Sequence, residues 1–131
     1  MNVIHNQKSS SKVTLLKDFL NGKSTYTIEL FRHFIQQFNR VEKVTLHPAN
    51  TMIGIATSRK RIAYITQLGK NFIHVVFPFE KPYRDTLCFH KISKVFGDDK
   101  QYNHHFRMLT FDDVNDEILK LMEIAHRLGS S

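Results

Sequence analysis

"VEKVTLHPANTMIGIATSRKRIAYITQLGKNFIHVVFPF", residues 41–79, decides the fold. Within four runs, 41–48, 51–58, 61–68 and 71–79, apolar residues recur at every second position, the period of a strand with one buried face. Val, Ile, Thr, Tyr and Phe dominate the runs, and "PAN", "RK" and "GK" separate them as turns. Gaps this short hold no crossover helix, so the strands are expected to run as an antiparallel meander.

Upstream the period changes to that of a helix. Residues 1–11 are polar and read as a flexible N-terminus. From Lys12 to Leu20, a serine N-cap precedes a short apolar stripe of Val13, Leu15, Leu16, Phe19 and Leu20. Gly22 in "NGK" can take the left-handed conformation that ends a helix. A second helix should start at Ser24 or Thr25 and end near Asn39–Arg40. Its Ile28, Phe31, Phe34, Ile35 and Phe38 recur at helical spacing, and that face must pack on the sheet.

Downstream, 80–86 form a loop around Pro82. Residues 87–95 and 103–109 pattern as the arms of a hairpin turning through "GDD" at 97–99, although 87–95 also fits a short helix. Asp112 or Asp113 is expected to cap a last helix striped by Val114, Ile118, Leu121, Met122, Ala125 and Leu128, with Gly129 as its stop. Asp116–Lys120 and Glu123–Arg127 have the spacing of ion pairs along it. The expectation is an α+β fold in a single domain, 12–129. It would be an antiparallel meander sheet of about five to six strands with two N-terminal helices and one C-terminal helix packed on it.

The composition agrees with that size of core. The chain has 131 residues, is 41% hydrophobic and carries 11 phenylalanines, which suits one globular domain rather than a disordered chain. Cys88 is the single cysteine, so no internal disulfide can form. The first residues lack the apolar core of a signal peptide, and no apolar run reaches membrane-spanning length. A soluble, cytoplasmic protein without a membrane partner is expected. Net charge is +7, unevenly spread: residues 1–97 hold 15 Lys/Arg against 5 Asp/Glu, and 98–131 hold 4 against 7. Basic charge favours phosphate-bearing partners, but it also serves solubility.

No catalytic, metal or cofactor site emerges from these residues. His104 and His105 are adjacent in a strand, so their rings should diverge: His104 toward the helices with Phe106 and Met108, His105 away with Arg107. The histidines at 5, 33, 47, 74, 90 and 126 show no metal-ligand spacing, and no third zinc ligand suggests itself. Cys88, in an apolar run, reads as a small buried hydrophobe. No nucleophile elbow, Walker loop or dinucleotide-binding glycine motif is present. Asp85, Asp98 and Lys100 have the residue types of a metal-dependent phosphodiesterase, but Asp98, Asp99 and Lys100 follow Gly97 in a turn rather than a rigid strand. What remains is cationic. Arg59, Lys60 and Arg61 sit at a turn between strands. A hairpin turning at Asp98–Asp99 would set His90 opposite Arg107, with Lys94 and His105 on the same face. These seven residues are the candidate contacts for an anion or nucleic acid.

"TLLKDFLNGKS", "ELFRHFIQQF", "IGIATSRKRIAYITQLGKNFIHVVF" and "NHHFRMLTFDDVNDEILKLMEIAHRLG" together resemble the bacterial domain of unknown function 5655 family, over roughly residues 14–128. His126 stands where that family commonly has an aromatic. The resemblance implies a small cytoplasmic α+β domain, occasionally attached to nuclease-like or transport-associated proteins, and brings no established catalytic residues. The leading expectation is an accessory or binding domain, not an enzyme, with a protein or an anionic ligand as partner. The alternatives are a weak nucleic-acid-binding accessory protein and an enzyme using His90, His105 and Arg107.

Overall fold

A computed structural model describes residues 15–98 and 100–130 of the chain. The expected flexible segment 1–11, the serine cap of the first helix and Asp99 lie outside the described residues. Helix α1 covers 15–20 and ends at Gly22, whose φ of 77° is left-handed as the sequence required. Helix α2 spans Thr25–Val41. The Ser24 hydroxyl accepts the Thr27 amide at 3.1 Å and donates to the Lys70 carbonyl at 2.6 Å, so one side chain both caps α2 and ties it to the sheet. The Thr27 hydroxyl, fully buried, donates to the Gly69 carbonyl at 2.6 Å.

The strands are β1 (Thr45–Pro48), β2 (Ile53–Ala56), β3 (Arg61–Leu68), β4 (Ile73–Phe79), β5 (Phe89–Lys94) and β6 (Tyr102–Met108). They form one antiparallel sheet in the order β1-β2-β3-β4-β6-β5. The meander of 41–79 is therefore present, shortened at its start because Val41 still belongs to α2. Within 87–95 the chain forms a strand, Phe89–Lys94, and not a helix. The hairpin joins the sheet through its second arm: β6 pairs with β4, and β5 takes the edge. The connection 80–88 must cross the end of β6 to reach that edge.

Helix α3 spans Asp116–Gly129 after a 3₁₀ turn at Phe111–Asp113. Its N-cap is Asn115, which accepts the Ile118 amide at 3.1 Å, and not Asp112 or Asp113. The Asp113 carboxylate instead accepts the Leu109 and Thr110 amides at 2.7 and 3.0 Å, fixing the exit from β6. Gly129 is the last helical residue rather than a left-handed stop. A Cβ there would stand 2.3 Å from Ile62 Cγ2, so its bareness lets α3 touch β3. Lys120 pairs with Glu123 at 3.8 Å rather than with Asp116.

Helices α2 and α3 pack on the same face of the sheet. Phe34 stacks 6.1 Å from Phe106, and Phe38 lies 6.4 Å from Phe77. Phe31, Phe34 and Phe38 share one cluster with Ile118, Leu121, Met122 and Ala125, and Ile35 packs against it half-buried. Among the described residues no helix is long and apolar enough to cross a membrane.

Candidate anion-binding face of the sheet

Alternation along β6 separates the adjacent histidines, as strand geometry demands. His104 is fully buried beneath the helices. Its Nε2 accepts the Tyr83 amide at 3.0 Å and its Nδ1 donates to the Tyr102 carbonyl at 2.9 Å, which assigns the neutral Nδ1–H form. The rings of Phe79 and Phe89 each lie 5.0 Å away, and burial lowers the histidine's pKa. His104 thus fastens the loop that carries the chain from β4 to the sheet edge.

His105 faces the other way, onto the side that neither α2 nor α3 covers. Its Nδ1 lies 2.9 Å from His74 Nε2, and its Nε2 3.5 Å from the Ser93 hydroxyl. His74 comes from β4, where it pairs with Arg107. His90 completes the group, its ring 5.3 Å from His74 and 6.0 Å from His105. Burial pushes His74 down to about 4, helped by His105, His90 and Arg107. His105 and His90 are lowered too, first by burial and then by neighbouring cations including Lys91 and Arg107. These shifts favour the neutral rings. Arg107 lies over the Phe72 ring, 4.8 Å from its centroid, which holds the guanidinium at the edge of the group.

A β-bulge builds this arrangement. Phe89 pairs with Phe106 and Lys91 with His105, so His90 is the extra residue and stands beside Lys91 at the uncovered face. The one-residue shift also corrects the expectation for Lys94. It pairs with Tyr102, which shares a face with His104, so Lys94 lies on the opposite side from His105. Within the sequence, His74 had no visible partner; only the β4–β6 register brings it to His105.

The remaining candidates lie at the other end. Arg59 and Lys60 form the exposed β2–β3 turn, where both amides donate to the Thr57 hydroxyl, which in turn donates to the Gly129 carbonyl at 2.8 Å. Arg61 opens β3 on the uncovered face, its side chain laid across Gly54: a Cβ there would stand 2.9 Å from Arg61 Nε. A cleft of about 720 Å³ adjoins it, lined by Lys60, Arg61, Tyr64, Pro78, Lys100 and Gln101 among others, with Glu80 and Asp98 also contributing. Asp98 accepts the Lys100 amide at 2.8 Å, the behaviour of a turn residue.

Cys88 is not a nucleophile in this setting. Burial, then hydrogen bonding and charge from Glu117, push its thiol up to about 12. The Glu117 carboxylate accepts the Cys88 and Leu87 amides at 2.7 and 3.1 Å, pinning the crossing loop to α3. Among the described residues no group of three His, Cys, Asp or Glu side chains could hold a metal ion.

Fold and face together define an α+β domain with a helical layer on one side of an antiparallel sheet and a basic, histidine-bearing surface on the other. Comparison with family models, curated proteins and solved structures found no match to the chain.

Proposed function

We propose that this protein is a small cytoplasmic accessory domain that binds an anionic ligand, without catalysis, on the sheet face left uncovered by α2 and α3. One observation carries the reading: none of the six strands contains an Asp or Glu. Arg61, Lys91 and Arg107 point from that face with no carboxylate among the strand residues around them, so the strands themselves attract an approaching anion, while Glu80 and Asp98 stand beyond the strand ends in the cleft next to Arg61. The imidazoles offer hydrogen bonds to its oxygens. The proposed kinship with the bacterial domain of unknown function 5655 family rests on the resemblance of its sequence segments alone. The non-catalytic part rests on the absence of an activated nucleophile beside the histidines: Ser93 is 3.5 Å from His105, and Cys88 is held protonated.

Titration with inorganic pyrophosphate, followed by amide and imidazole NMR, tests this. Shifts concentrated at His74, Lys91, His105 and Arg107 are expected. Shifts confined to the helices, or none at millimolar ligand, would overturn it. The clustering of three imidazoles within 6.0 Å favours a second reading, in which His90 and His105 exchange protons and Arg107 holds an oxyanion. Turnover of bis(p-nitrophenyl) phosphate abolished by His105→Asn would establish that reading instead.

A further inference from the structure

We infer that the anion bound by the uncovered face is single-stranded nucleic acid, with its bases laid on Tyr64 and the histidine rings and its phosphates held by Arg61, Lys91 and Arg107. The inference rests on the binding role proposed above and adds the chemical class of the ligand.

Three features of the face lead there. First, its cations stand at two ends, Arg61 at one and Lys91 with Arg107 at the other. Tyr64 is level with Val76, two residues along β4 from His74, and Arg61 lies three residues further along β3. With about 3.3 Å per residue and about 4.8 Å per strand, Arg61 and Arg107 are roughly 19 Å apart, two strands over. A single phosphate group cannot bridge that distance, whereas a chain with repeating charges can.

Second, the ground between them is ring-bearing. Tyr64, Val76, Pro78, His74 and His105 project from β3, β4 and β6 on this side. Tyr64 is partly exposed. Neutral imidazoles, tyrosine and proline are stacking surfaces for bases, and every base offers a π-face, so such a platform tolerates any sequence. An acidic peptide would match the cations but would gain nothing from the rings.

Third, the cleft beside Tyr64 at the Arg61 end, about 720 Å³, has the size of a small-molecule pocket and brings Lys60 and Lys100 beside Tyr64 and Phe79, with Glu80, Asp98 and the end of α3 at Leu128 and Gly129 completing its wall. A terminal nucleotide fits those dimensions. The platform and cleft together accommodate about four nucleotides, the low end of what one domain covers. Duplex is disfavoured because its bases are already stacked on each other and unavailable to the rings.

Fluorescence anisotropy with a labelled eight-nucleotide uridine strand, the matching eight-base-pair duplex and a poly-glutamate peptide provides the test. The expected result is micromolar binding of the single strand, at least tenfold tighter than either competitor. With three phosphates neutralised, raising salt from 50 to 200 mM should weaken the single strand roughly 20-fold. Tyr64→Ala should weaken it tenfold or more, as should Arg61→Gln, an exposed position where misfolding cannot account for the loss; Lys120→Gln, on α3, should leave it unchanged. If pyrophosphate and poly-glutamate perturb the face but the single strand binds no better than they do, the binding role stands and this inference falls. Single-strand binding that survives both Tyr64→Ala and Arg61→Gln would overturn the inference by placing the contact elsewhere. No binding of any of the probes at 50 mM salt would overturn both readings.

Discussion

His74 Nε2 lies 2.9 Å from His105 Nδ1, joining neighbouring strands through two imidazoles. One ring must donate and the other accept, so the bond exists only while at least one of them is neutral. Burial and the facing charges of His90, Lys91 and Arg107 favour the neutral forms. His74, held down to about 4 from 6.5, binds its proton less readily folded than unfolded. Stability from this group is therefore fully present above about pH 6.5 and falls as the pH drops toward 4, where the unfolded chain takes up protons first. NMR titration should find the His74 midpoint below 5. Replacing His74 by Phe should flatten the pH dependence of chemical denaturation between 4 and 6.5; an unchanged profile would contradict this.

Cys88 should be nearly inert to alkylation. With a thiol at about 12, only about one molecule in ten thousand carries thiolate at pH 8. Iodoacetamide labelling followed by mass spectrometry should run far slower than for free cysteine, and Glu117→Gln should accelerate it several-fold by removing the adjacent charge. Wild-type labelling at the rate of free cysteine would show the site misread.

Glu117→Ala should also loosen the 80–88 crossing. The carboxylate is the acceptor for two loop amides, and although burial raises its pKa, those hydrogen bonds outweigh it and hold the acid below its usual value. Loss of a charged acceptor at a partly exposed position costs about 1 kcal/mol. Hydrogen exchange should quicken at Leu87 and Cys88 while the β2–β3 ladder stays protected.

Leu121→Ala, at a position 3% exposed between α2 and the sheet, should destabilise the fold by roughly 2–5 kcal/mol through lost burial and a residual cavity. A loss under about 0.5 kcal/mol in urea denaturation would mean the face is not core.

Gly129→Ala tests the closest approach of helix to sheet. Alanine is favoured over glycine inside a helix by about 1 kcal/mol, and here φ raises no objection. The new Cβ would nevertheless meet Ile62 Cγ2 at 2.3 Å, and overpacking of that kind costs about 1–3 kcal/mol. Net destabilisation is expected, and Ile62→Val in the same chain should recover part of it.

Much of this molecule was legible locally. The two-residue period of 41–79 specified β1 to β4 and their antiparallel sense, because a short turn leaves no other choice. The helical stripes of Phe31, Phe34 and Phe38 and of Ile118, Leu121 and Ala125 specified which faces are buried. Strand parity sent His104 inward and His105 outward without reference to any other part of the chain. Tertiary structure decided what parity could not. The insertion of β6 between β4 and β5 is a pairing between segments about thirty residues apart, and no local pattern encodes which neighbour a strand will choose. That pairing brought His74 to His105. The bulge at His90 added one unpaired residue to β5, turned Lys94 to the far face and left His90 and Lys91 together, because a shift of one position reverses every side chain beyond it. Residue type and order determined that a basic, histidine-containing sheet would form; the register between distant strands determined which of those residues share a surface.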